Sequence, residues 1–106
     1  MDKPYRRYEV LLPLRFNDGN PVPDSLVAET LLELEQQFGA VSWESQTIHG
    51  QWTFQGQSYR DDLVRIFVDV PDSPESREFF VALKERLKSR FQQIDIWLTT
   101  HALEIL

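Results

Sequence analysis

His49 and His101 are the two histidines of this 106-residue sequence, and histidine is the residue type best suited to proton transfer near neutral pH. They fall on different strand-like segments. Neither has a second histidine or a carboxylate at metal-ligand spacing, so each reads first as a half-exposed strand residue. A zinc site needs three or four converging ligands. Cysteine is absent, which removes thiolate metal sites, disulfides and cysteine nucleophiles. No metal and no cofactor is expected, and no residue is assigned a catalytic role. A general-base role stays open for His101 if a pocket forms around it, with Arg65 and Glu9 as neighbours able to tune it.

The carboxylates are less pointed. Asp61 and Asp62 are adjacent, so on a strand they face opposite ways and cannot act as a pair. Tyr59, Asp61 and Arg65 share one parity, which favours an ion pair or a hydrogen-bonded cluster. Asp69 and Asp72 suit turn and capping roles. The loop Asn17-Asp18-Gly19-Asn20 precedes a helix, but it lacks the spaced glycines and lysine of a phosphate loop, and Asp18 and Asp24 would repel an anion. No Gly-x-Ser-x-Gly elbow occurs. Trp43, Trp52 and Trp97 read as core or core-edge residues, with an aromatic-lined pocket or interface as the alternative.

Composition bounds the rest. Eleven basic and seventeen acidic residues give a formal charge of −6, which repels phosphate backbones, and the basic-aromatic pattern of RNA-binding sheets is missing. Nucleic acid is therefore not an expected partner. No apolar run reaches bilayer length, and the basic stretch Met1–Arg7 is not followed by the apolar segment of a signal peptide. The expectation is one cytoplasmic domain, residues 1–106, with no membrane contact. A chain of this size buries about two-thirds of its surface, enough for a core without staples.

The elements follow from periodicity. Tyr5 to Leu12 alternates as a strand, with Pro13 at a bulge or exit. Asn17 to Pro21 is a turn, and a helix starts at Asp24 or Ser25 as N-cap. Val27, Leu31, Leu34 and Phe38 form its apolar stripe, Leu32 falls off it, and Gly39 closes it. Strand character returns from Val41 and Trp43 through Ile48, Trp52 and Phe54, with a possible bulge at Gly50. A loop at Gln55–Ser58 leads into a strand from Tyr59 to Val70. Ser73 and Pro74 start a second helix whose buried face is Phe79, Phe80, Leu83, Leu87 and Phe91. Ile94, Ile96 and Leu98 mark a fourth strand, and residues 102–106 form a largely apolar tail.

The order strand, helix, strand, strand, helix, strand predicts an α+β two-layer ferredoxin-like βαββαβ sandwich, with a four-stranded antiparallel sheet and both helices on one face. The other face is left open. Parity gives it Leu11, Arg15, Leu63, Arg65, Phe67, Trp97 and His101, with Glu9 beside them. Solvated antiparallel faces normally read polar, whereas this one carries several large apolar side chains, the mark of an interaction surface. A homodimer through this face or the tail is the expected partner arrangement. The face also keeps Arg7, Arg15 and Arg65, so an anionic small molecule is compatible with it.

The stretches Tyr8-Glu9-Val10-Leu11-Leu12-Pro13-Leu14 to Asn17-Asp18-Gly19, Tyr59-Arg60-Asp61-Asp62-Leu63-Val64-Arg65 and Arg90-Phe91-Gln92-Gln93-Ile94-Asp95-Ile96-Trp97 resemble those of a group of small bacterial ferredoxin-like domain proteins of unknown function. The resemblance implies a ferredoxin-like fold and a bacterial cytoplasmic setting, and carries no activity or site residues. The functional reading is a self-associating binding module using the open face. The alternatives are a small dimeric α/β-barrel enzyme, or a sensor holding a small-molecule ligand between two sheets, with Glu9, Arg65, Trp97 and His101 as pocket groups.

Overall fold

The computed structural model describes residues 4–106; Met1–Lys3, the start of the basic N-terminal stretch, lie outside it. The described residues form strand β1 (Tyr5–Pro13), helix α1 (Asp24–Phe38), strands β2 (Ser42–Trp43), β3 (Ile48–Phe54) and β4 (Gln57–Pro71), helix α2 (Pro74–Arg90) and strand β5 (Trp97–Leu103). All pairing is antiparallel. β4 lies between β1 and the outer pieces β2 and β3, and β1 lies between β4 and β5.

The α+β class stands, but the four-strand count does not. The segment expected as one strand before the hairpin is two: β2 pairs with Ile66 and Phe67, and β3 pairs with Gln57 to Leu63. The reason lies in Glu44 to Thr47, which leave strand geometry between them.

Pro13 finds a place in a central strand by register. β1 pairs with β5 only up to Leu11↔Trp97, while on the other side it continues to Pro13↔Leu63. The Leu14 amide donates to the Asp62 carbonyl at 2.7 Å, so the position before it faces the β5 side. The missing proline N–H thus points where β5 has not begun, and no ladder bond is lost.

The even-numbered residues Tyr8, Val10 and Leu12 of β1 and Ile66, Val68 and Val70 of β4 are buried with Leu34 of α1 and Phe80, Leu83 and Leu87 of α2. Both helices therefore cover the same sheet face. Tyr8 stacks on Phe80 with centroids 4.0 Å apart, and Phe38 stacks on Phe80 at 5.3 Å, offset contacts that add to the area buried. Leu32 is exposed, as its place off the stripe requires.

The helix ends divide. Ser73 caps α2, its Oγ accepting the Ser76 amide at 3.1 Å, with Pro74 in the first helical position. α1 departs from expectation: Pro23 occupies the cap position, its side chain accepting nothing, and Asp24 is the first helical residue. Asp24 still places negative charge at the positive helix end. Gly39 closes α1 at φ 82°, donating to the Glu35 carbonyl. β5 begins three residues later than Ile94 and runs into the expected tail as far as Leu103. Ile94 is exposed and Ile96 is buried ahead of the strand.

A polar bridge joins the helices. Glu33 accepts from Arg90 at 2.9 Å and from Arg86 at 2.5 Å, and Arg90 also donates to the fully buried Thr30 hydroxyl at 2.9 Å. Burial pushes the Glu33 carboxyl up, but the hydrogen bonds from Arg90 and Arg86 outweigh it and hold the group below the ordinary glutamate range. A depressed pKa means stabilisation that is present above the unfolded pKa and lost as pH falls through the folded one. Glu33→Gln is therefore expected to cost about 1 kcal/mol at pH 7, with the deficit shrinking below pH 4 in urea titrations. An equal deficit at pH 7 and pH 3 would refute the charged origin of the bridge.

Candidate functional site

A cavity of about 650 Å³ lies at one end of the sheet, on its open face. Three parts of the chain line it. Leu11 and Pro13 come from the end of β1, with Leu63 opposite them on β4. Gly50, Trp52 and Phe54 come from β3, with Asp61 opposite Gly50. Gln93, Ile94, Asp95, Ile96 and Trp97 come from the segment between α2 and β5, joined by Lys88 from the last turn of α2.

The β3–β4 hairpin shapes this end. Its two-residue turn, Gln55 at φ 50° and Gly56 at φ 79°, has the left-handed conformation at both positions that suits tight hairpins. β4 therefore starts at Gln57, two residues before the expected Tyr59. The register pairs Trp52 with Tyr59, whose rings stack at 4.5 Å. The Trp52 indole N–H donates to Asp61 Oδ2 at 2.6 Å. Gly50 makes a close approach: a Cβ there would meet Leu63 Cδ1 at 3.2 Å, so that leucine would have to shift by a few tenths of an ångström. The far wall is also pinned. Asp95 Oδ1 accepts the Ile96 amide at 2.9 Å and lies 3.2 Å from Lys84 Nζ.

The structure separates the expected face residues into four groups. Leu11, Leu63 and Trp97 line the cavity. Glu9, Arg65 and Phe67 lie farther along the sheet in a network of ion pairs. Arg65 meets Glu9 at 2.8 Å and Glu44 at 2.7 Å, Arg7 meets Asp69 at 2.7 Å, and both guanidinium groups lie over the Phe67 ring, at 4.4 and 5.1 Å from its centroid. His101 is exposed and pairs in register with Arg7. It is four residues from Trp97, roughly 13 Å along the strand, so it stands apart from the cavity. Arg15 does not share this face. β1 ends at Pro13, so the parity count stops there, and Arg15 lies 3.5 Å from Asp62 on the opposite face, where His49 Nδ1 is 2.8 Å from the same carboxylate. The hydrogen bond to His49, with help from Arg15, holds Asp62 below the ordinary aspartate range.

Two further expectations change. Asp69 and Asp72 serve as ion-pair partners of Arg7 and Arg6. The arginines expected to leave an anionic site, Arg7, Arg15 and Arg65, each face a carboxylate. Trp43 and Trp97 are 57% and 66% exposed, so neither is a core residue. Sequence parity shows Asp61 on the side of Leu63 and Arg65, but it does not bring Trp52 and Phe54 beside it. The turn at Gln55-Gly56 carried the missing signal, because a two-residue turn fixes Trp52 opposite Tyr59 and next to Asp61. Among the described residues, no group of three metal-ligating side chains converges, and no helix is long and apolar enough to cross a membrane.

Trp52→Phe keeps a ring for stacking on Tyr59 but removes the indole donor. It is expected to lower stability by about 1 kcal/mol, read as a shift in the urea midpoint. In an Asp61→Ala background, which removes the acceptor, the same change should cost less, and full additivity in that cycle would show that the indole bond contributes nothing.

No family model matches the sequence, and no curated protein sequence is similar to it. Solved structures are similar in fold. A phage SAM lyase in complex with S-methyl-5'-thioadenosine superposes with a TM-score of 0.68 at 14% identity, covering 99% of this chain and 92% of the other. A phage SAM lyase in the apo state gives a TM-score of 0.57 at 19% identity, covering 98% and 90%.

Proposed function

We propose that the protein binds a small molecule in the cavity at the end of the open sheet face, and that the ligand is an adenosine-bearing sulfur compound of the S-methyl-5'-thioadenosine kind. The observation that carries the reading is the cavity itself: about 650 Å³, with Trp52, Phe54 and Trp97 beside the carboxylates of Asp61 and Asp95. That volume falls in the range of small-molecule sites, which pair apolar walls with a few placed polar groups. The exposed Trp97 indole offers a stacking surface for a purine. The fold likeness to a lyase that holds S-methyl-5'-thioadenosine supports the ligand class by analogy, since fold alone does not fix function. We read the architecture as ferredoxin-like, with its second strand split into β2 and β3.

Titration with S-methyl-5'-thioadenosine by calorimetry is the test. Saturable binding in the micromolar to sub-millimolar range is expected. Trp97→Ala, at an exposed position, should leave the melting temperature nearly unchanged and weaken binding by about tenfold or more. Absence of heat up to millimolar ligand, or unchanged affinity in Trp97→Ala, would overturn the reading.

Self-association is the second reading, favoured by the apolar groups left uncovered near β5: Trp97, Ile105 and Leu106 are all more than half exposed. A second copy seated on this face would cover them. Sedimentation at micromolar concentration should then show a species above 12.5 kDa, and a monomer at all concentrations removes this reading while leaving the cavity intact.

A further inference from the structure

Asp61 is the carboxylate of the cavity that no cation answers. Asp95, its counterpart on the far wall, pairs with Lys84. Lys88, the cation that lines the cavity, pairs with Glu85 at 3.3 Å. Outside the cavity, Glu9 and Glu44 share Arg65, Asp69 pairs with Arg7, and Asp62 has Arg15 and His49. Among the described residues, no basic side chain pairs with Asp61. Its one side-chain donor is the Trp52 indole on Oδ2. A neutral N–H orients a carboxylate without cancelling its charge, and the second oxygen is left to a ligand.

The surroundings add to this field. Trp52, Phe54 and Trp97 line the same cavity, and aromatic faces attract cations through their quadrupoles. Partly buried charge without a partner is costly, so a site that keeps one beside aromatic rings is complementary to a cationic ligand.

The geometry points to charge selection. The cavity takes an organic cation, a sulfonium or substituted ammonium on an apolar body, in preference to the neutral molecule of the same shape. Asp61 supplies the counter-charge, and Trp52 is the positioning residue that aims it. For adenosyl ligands this rests on the reading above, and it assigns the preferred member of that class as the sulfonium form.

Two probe pairs test this by calorimetry on the full chain. S-Adenosylmethionine and S-adenosylhomocysteine differ by the sulfonium methyl group and its charge. Choline and 3,3-dimethylbutan-1-ol share a shape without any nucleoside. The wild type is expected to bind the cation of each pair about tenfold more tightly than its partner. Asp61→Asn, which keeps an oxygen for the indole, should bring both ratios to within about twofold. Equal affinity within both pairs, or a preference that survives in Asp61→Asn, overturns the inference. Selective choline binding without any nucleoside binding would sustain it and sink the adenosyl reading. Binding of S-methyl-5'-thioadenosine with no charge preference would do the reverse. If Asp61→Asn fails to fold, as a lost thermal transition would show, the choline pair on the wild type decides.

Discussion

Fifteen consecutive residues of β4 pair with three other strands, and this ladder decides where every group of the cavity stands. Leu63 is its crossing point, opposite Pro13 on one side and Ile48 on the other. Before Leu63, β4 has only β3 beside it, so the hairpin overhangs the sheet as a two-stranded ribbon, the kind that twists most. After Leu63, β1 joins and the sheet is backed by helices. The cavity lies at that change of partners. A slip of one residue would turn Ile66, Val68 and Val70 out to solvent and bring Asp61 and Leu63 under the helices. The buried set on one face therefore locks the site on the other.

The same alternation sorts the charges. At the far end of the open face the acids and bases interleave, and Phe67 lies beneath two guanidinium groups. Those pairs are partly exposed and contribute little each to stability. Their effect is to leave that half of the face nearly neutral. At the cavity end the composition changes to aromatic rings, amides and one unpaired carboxylate. Cross-strand placement makes the difference: Asp69 lies opposite Arg7 and Arg65 lies diagonal to Glu9, whereas Asp61 lies opposite a glycine.

Much of the fold was legible because its signals are local. The alternation of Val64, Ile66, Val68 and Val70 needs no partner to be read, nor do the Ser73-Pro74 start of α2 or Gly39 after α1. What parity could not supply was where regular pairing stops. Parity counts Arg15 onto the open face because nothing in its type shows that β1 has ended two residues earlier. The break at Glu44 to Thr47 does not show in the sequence, since its neighbours Trp43 and Ile48 both look like strand residues. The cavity was half legible. Leu11, Leu63 and Trp97 followed from alternation, but Asp61 and Trp52 come together only through cross-strand register, set by a turn read as four residues where the chain uses two.

The net charge of −6 also takes on a different meaning. Read as a total, it argued against anions, and the arginines of the open face then argued partly back. The ion pairs remove that second argument: Arg7, Arg15 and Arg65 are each matched by a carboxylate, so none is left to receive an anionic ligand. What remains is a molecule negative at long range, with a cavity whose one unmatched charge is negative as well. The two scales act in the same direction. The overall field raises the local concentration of cations near the surface, and the aromatic walls and Asp61 favour them at contact distance. A neutral thioether would lose the benefit of both, keeping only the stacking and apolar contacts that any ligand of its shape could make.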